Sequence, residues 1–245
     1  MWSIRKVKQV ARARVKANYW KSVLVSGLFS GLVGGTGYIG TQISNSTSSE
    51  GSANFQEAWN RISSDPETMF VFFGIVAIGA LIGFTIGLVI GFVLDAFLYN
   101  PLNVGIARFS YRNLREEAKV REIAYGFDHS YKNIARVMFF RELYIFLWGL
   151  LFIIPGIYKS YQYRLVPYLL TENPDMDKET ALQESKRMMD GNKGKAFLMD
   201  LSFIGWDILC VVTFGIVAIF YVAPYRTMAN AAMYDAVKYD KGMMA

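Results

Sequence analysis

The sequence predicts an all-α protein, a polytopic transmembrane helix bundle edged by amphipathic interfacial helices. Three observations carry that prediction. The run from Met69 to Leu94 holds no charged residue and is long enough to cross a hydrocarbon core of about 30 Å. Within it, Gly79, Gly83, Gly87 and Gly91 recur at every fourth position, which clears one helical stripe for close approach of another helix. Hydrophobic residues make up 53% and aromatic residues 16% of the 245 positions, a balance that suits a membrane bundle better than a soluble globule. The whole chain, residues 1–245, reads as a single integral membrane domain with four apolar blocks and room for six membrane-embedded helices.

Residues 1–18 contain a basic amphipathic helix that Ser3 can cap. Ile4, Val7, Ala11 and Val15 fall on one face, while Arg5, Lys6, Lys8, Arg12, Arg14 and Lys16 lie mainly elsewhere. That pattern predicts a helix in the headgroup region, its cations facing anionic lipid. The basic stretch through Lys21 is too long for a signal-peptide n-region, and no small-residue cleavage site follows the next apolar segment. Residues 22–40 therefore read as a retained first span, with its own glycine array at Gly27, Gly31 and Gly35.

Residues 41–68 are a polar, Ser/Asn-rich loop with Glu50, Glu57, Asp65 and Glu67 against Arg61 alone. The flank before span one and the segment after span two are both rich in Lys and Arg. The positive-inside rule then puts the N-terminus in the cytoplasm, this loop outside, and residues 100–136 back in the cytoplasm as helical chain. Span two should end between Asp95 and Pro101.

From Leu143 the chain turns apolar again, and Pro155-Gly156 interrupts it. A kinked third span would put residues 171–195 outside; a hairpin turning at Pro155-Gly156 would keep Lys178, Lys186, Arg187, Lys193 and Lys195 cytoplasmic, and the hairpin is preferred. Asp177 should cap a helix over residues 177–190 whose buried face is Ala181, Leu182, Ser185, Met188 and Met189, with Gly191 ending it. The last apolar block, 196–223, has a helix break at Gly215 and reads either as one long bent span or as a second hairpin; a further break at Pro224 opens a final amphipathic segment. A loose internal repeat links three blocks: Gly91-Phe92, Gly156-Ile157 and Gly215-Ile216 each precede a Pro, at Pro101, Pro167 and Pro224. Frequent Gly and Pro near membrane-helix ends explain it better than a transporter-like repeat does.

The charged residues inside or at the edge of apolar segments are Asp95, Arg141, Glu142, Arg164, Asp200 and Asp207. Each is costly to insert, so together they form the candidate in-membrane polar site. Asp200 and Asp207, seven apart, would share one helical face and either bind a cation or relay a proton, or pair with Arg141 or Arg164 as structural glue. No nucleophile elbow, zinc motif or phosphate-binding loop is present, and the single Cys210 and single His129 form no cluster. The reading is therefore non-enzymatic, with no catalytic residue, metal or cofactor assigned.

The string PGIYKSYQYRLVPYLLTENPDMDKETALQESKRMMDGNKGKAFLMDLSFIGWDIL, followed by TFGI and APY, resembles a bacterial family of integral membrane proteins, domain-of-unknown-function family 975. ARARVKANYW and PLNVGIARF also fit its pattern. The chain departs from it in the longer, more polar loop at 41–68 and in Asp207, where an apolar residue is expected. The resemblance implies an inner-membrane protein without known catalytic residues. The resulting expectation is an accessory or protective factor of the bacterial cytoplasmic membrane, with anionic lipid headgroups, a second copy of the chain or another membrane protein as partners, and no nucleic acid despite the +6 charge. The alternative is a small channel or transporter using the in-membrane carboxylates.

Overall fold

In the computed structural model, residues 2–26, 59–60, 62–213 and 215–242 are described, and every regular element among them is helical. The chain divides into two units, Gly31–Leu94 on one hand and Met1–Ser30 with Asp95–Ala245 on the other. The first-span glycines Gly27, Gly31 and Gly35, and most of the 41–68 loop, lie outside the described residues.

In the smaller unit, α2 (Pro66–Leu94) is a 29-residue helix. The Asp65 carboxylate accepts from the backbone N–H groups of Glu67 and Thr68, so the helix starts inside the segment expected to be loop. Most of its large apolar side chains are exposed, among them Phe70, Phe73, Leu81, Phe84, Ile90 and Phe92. A Cβ built on Gly79, Gly83, Gly87 or Gly91 meets no described atom within 4 Å, so the stripe is open among the described residues.

The α-helix gives way at Asp95, within the stretch where span two is expected to end, and helical chain continues beyond it. A helical run of 48 residues, Pro66–Asn113, is the one helix among the described residues long and apolar enough to cross a membrane. A π-helical turn at Asp95–Tyr99 leads into α3 (Asn100–Asn113), where Pro101 occupies an early position at which a missing N–H costs little.

The larger unit is built on buried helices with α3 at their centre. α1 (Ile4–Ala17) has the expected Ser3 cap, whose hydroxyl accepts from the Lys6 N–H at 3.3 Å. Its apolar stripe is not available to lipid. Val7, Ala11 and Val15 are buried along α11 (Ala223–Asp240), where Ala229, Ala232 and Met233 join the same cluster. The periodicity that predicts an interfacial helix is equally that of a helix docked on its own protein, and here the protein supplies the apolar partner.

Past α3, a short 3-10 turn at Val120–Ala124 and α4 (Tyr125–Asp128) press backbone to backbone against it. A Cβ on Gly105 would sit 1.9 Å from the Ile123 carbonyl oxygen, and one on Gly126 would sit 2.2 Å from that of Pro101. A second cluster, including Val104, Ile134, Val137, Met138, Val166 and Leu182, joins α3 to α5 (Tyr131–Leu151), α7 (Val166–Glu172) and α8 (Lys178–Met189). α8 matches its expectation closely: Asp177 caps it, the five expected residues are buried, and Gly191 adopts φ +77°.

The apolar block after Leu143 is a hairpin. α5 ends at Leu151, Phe152 is extended, and α6 (Ile153–Gln162) packs back along α5. The break thus falls at Phe152, three residues before Pro155. Pro155 sits in the first turn of α6, where it is tolerated. Gly156 acts differently, because its Cβ would lie 2.6 Å from the Gly149 Cα, so the legs touch through glycine backbones.

α9 (Lys193–Leu201) and α10 (Ile204–Val212) follow, separated by a bend at Ser202-Phe203. Gly215, at φ +81°, lies at the expected helix break, and the π-helical turn that follows, Ala218–Val222, packs back on α10. Pro224 does not break a helix. The π-helical turn runs into α11, with Pro224 near its start. Pro101, Pro167 and Pro224 therefore all occupy the start of a helix, respectively α3, α7 and α11. α3 packs on the other two, and Tyr168 stacks on Tyr234 with centroids 5.0 Å apart.

Candidate functional site

Three of the expected polar residues, Arg164, Asp200 and Asp207, line one cleft of about 630 Å³ between α6, α9, α10 and α11. Arg164 stands in the turn between α6 and α7. Its guanidinium donates to both oxygens of Asp200 at 2.5 and 2.8 Å and to the Asn230 carbonyl oxygen at 2.7 Å. The Tyr161 hydroxyl donates to the same carboxylate at 2.8 Å. On the far wall, Arg226 Nη2 donates to both oxygens of Asp207 at 2.8 Å. Ile157, Phe197, Leu201 and Ile204 complete the wall, all half or more than a third exposed.

Asp200 and Asp207 do not share a helix, contrary to the expectation from their spacing. The bend at Ser202-Phe203 separates them, because Phe203 turns inward and is fully buried. Lys8 lies over its ring at 4.3 Å and donates to the Ser202 carbonyl at 3.3 Å. The two carboxylates still line one cleft, but each faces its own arginine. Among the described residues the cleft carries two ion pairs, Arg164–Asp200 and Arg226–Asp207, each of which ties two elements together.

A second cleft of about 370 Å³ shares Asp207 and Arg226 and is closed off by Ile106, Cys210 and Asn230. Arg226 Nε is buried without a hydrogen-bond partner, while the guanidinium lies 5.2 Å from the Phe203 ring centroid.

Asp95, Arg141 and Glu142 do not join this site. Asp95 is in the π turn, which packs on α5. Arg141 pairs with the adjacent Glu142 and donates from Nε to the Tyr163 carbonyl at 2.9 Å, tying α5 to the foot of α6. Among the helix-α1 cations, Arg5, Lys6 and Lys16 are exposed and Arg14 is half-buried. Lys8 is half-buried, and Arg12, although exposed, reaches back to the protein, its Nε donating to the Tyr225 hydroxyl at 3.2 Å. Burial and the neighbouring Arg12 hold the Lys8 ammonium below the usual lysine range.

Tyr161, Arg226 and Asn230 were not distinguishable in the sequence. Arg226 follows the last apolar block directly, as Arg164 precedes α7, and that position at the foot of an apolar segment is the available signal. Among the described residues no group of His, Cys, Asp and Glu comes together as a metal site, and His129 stacks on Tyr125 at 4.4 Å.

A protein-family model described as "Protein of unknown function (DUF975)" matches residues 71–241, well over half of the chain. No curated protein and no solved structure matches it.

Proposed function

The chain belongs to this family of proteins of unknown function, DUF975, and from that premise we propose that it is a multi-pass protein of the bacterial cytoplasmic membrane, with its N-terminus in the cytoplasm. It works without catalysing a reaction, through contacts with lipid and with other membrane proteins, as an accessory or protective factor. The observation that carries this reading is α2. Twenty-nine residues rise about 44 Å, more than the hydrocarbon thickness, and most of its large apolar side chains are exposed along that length. Apolar surface on that scale exceeds what a monomer leaves in water. The open glycine stripe supports a helix partner, either the first span or a second copy of the chain.

The channel alternative draws support from a cleft that touches both carboxylates. It loses its motivating chemistry because each carboxylate is held by an arginine. Two measurements test the proposal. Membranes washed with alkaline carbonate should retain the protein, and its release would end the membrane reading. Sealed liposomes carrying the purified protein should show no ion or proton flux. Flux that an Asp200→Asn, Asp207→Asn double variant loses would replace the accessory role with transport.

A further inference from the structure

The chain leaves its buried core and returns to it within a short distance in the α5–α6 hairpin. Ile134, Val137 and Met138 on the outgoing leg are buried, as are Gln162 and Leu165 at the end of the return. At the tip the side chains are apolar and turned outward: Leu150 is 74% exposed, Phe152 68%, Ile153 76% and Ile154 81%. The ten residues of α6 rise about 15 Å, half of a 30 Å hydrocarbon core, so the hairpin cannot reach the far side and come back. Its glycine contact at Gly149 and Gly156 keeps the two legs together as a thin wedge.

Below its tip the hairpin has the composition of a membrane interface. Lys159 lies 5.0 Å from the Trp148 ring centroid, and Lys193 lies 4.6 Å from that of Tyr158 while donating to its hydroxyl at 2.9 Å. Amphipathic aromatic rings with lysines reaching out beside them mark headgroup level. Backbone breaks at membrane depth are tolerated where the freed groups find partners, and here the Phe152 N–H donates to the Trp148 carbonyl at 3.1 Å and the Gly156 N–H to that of Phe152 at 3.3 Å.

A second, shorter hairpin repeats the arrangement. α10 leaves from the buried Phe203, Val211 and Val212 are exposed at its end, Gly215 reverses the chain, and Val222 is buried again. Its nine-residue outgoing leg rises about 14 Å. The Asp207–Arg226 pair joins its two legs.

We infer that the α5–α6 hairpin is a re-entrant wedge that enters the acyl chains of one leaflet only, the leaflet beside the buried helical core, and that the α10 hairpin enters the same lipid layer less deeply. This rests on the membrane reading above. It puts the start of α5 and the whole of α8 on one side of the bilayer, and it makes one leaflet, not a protein, the partner of the hairpin tips.

The test uses full-length protein with its single cysteine replaced, Cys210→Ser, and one new cysteine at a time. Ile154→Cys and Leu150→Cys, both at exposed tip positions, carry a fluorescent label in liposomes of chain-brominated phosphatidylcholine. Bromine should extinguish both labels, and aqueous iodide should not. Lys132→Cys and Lys186→Cys should react with a membrane-impermeant maleimide from the same face, in inverted vesicles and not in intact spheroplasts. Reaction of the two from opposite faces would make the hairpin a full span and overturn the inference. Tip labels quenched by iodide, or by neither agent, would place the tips in water or against a protein and overturn it as well. An Ile82→Cys label on α2 separates the two levels: loss of bromine quenching there too would mean that the membrane reading has failed, whereas its retention confines the failure to the hairpin.

Discussion

Asp200 and Asp207 are equivalent in the sequence and differ in what surrounds them. Arg164 and Asp200 side chains are 17% and 32% exposed, and a tyrosine and an asparagine complete their hydrogen bonding. Arg226 and Asp207 are 39% and 48% exposed. Removing charge from the first pair leaves a guanidinium largely out of water. Asp200→Asn is therefore expected to destabilise the purified protein by about 2 kcal/mol, within the range for hydrogen bonds to charged groups. Asp207→Asn, solvated and screened, should cost less than about 1 kcal/mol. Unfolding midpoints in detergent check this, with an Arg164→Met double-mutant cycle to isolate the coupling; equal costs at the two sites would contradict the difference in burial. The sequence could mark both residues as charges in apolar surroundings, because that is a matter of neighbours along the chain. It could not separate them, because the Ser202-Phe203 bend contains neither Gly nor Pro. That bend exists because Phe203 finds a buried place beneath Lys8, which is 195 positions away in sequence order and invisible to periodicity.

Glycines show the same division at the scale of elements. The most conspicuous four, on α2, have no neighbour at Cβ distance among the described residues, while Gly105 and Gly126, in no evident pattern, stand where two backbones meet. Gly105→Ala would push a Cβ into the Ile123 carbonyl, and backbone cannot yield as a flexible side chain does. Its cost should reach at least the usual overpacking range of about 1–3 kcal/mol. Gly83→Ala should leave the unfolding midpoint of the monomer unchanged or raised by up to about 1 kcal/mol, because alanine favours helix. Its effect should appear only in self-association, read by cross-linking yield in liposomes. If Gly105→Ala proves silent by thermal unfolding, the close approach of α3 to the Val120–Ala124 turn is wrong. Local signals with a local cause were legible throughout: α8 was readable to the residue because cap, face and terminating glycine lie within its own few turns. The α5–α6 break was half legible. Pro155-Gly156 announces an interruption, but proline is tolerated in a first turn, so the extended residue falls earlier, at Phe152.

At the scale of the whole molecule, the decisive question is which apolar faces the protein covers itself. The hydrophobic pattern of α1 and that of the hairpin tips both read as membrane-seeking, yet α1 spends its apolar stripe on α11 and keeps only its outer cations free. A sequence cannot make that distinction, since one amphipathic period serves a lipid surface and a protein groove alike. The two roles can be separated by substitution. Ala11 is fully buried against α11, and Ala11→Leu should lower the unfolding midpoint through about 1–3 kcal/mol of overpacking. Charge reversal at Arg5, Lys6 and Lys16, all exposed, should leave that midpoint where it is. It should instead weaken attraction to an anionic leaflet by about 1 kcal/mol per cation and reduce the phosphatidylglycerol that accompanies the protein through purification, measured by lipid mass spectrometry. A triple reversal that unfolds the protein would make the cations part of the fold. One that leaves both fold and bound anionic lipid unchanged would remove α1 from the lipid-contacting surface and leave that work to α2 and the two hairpins.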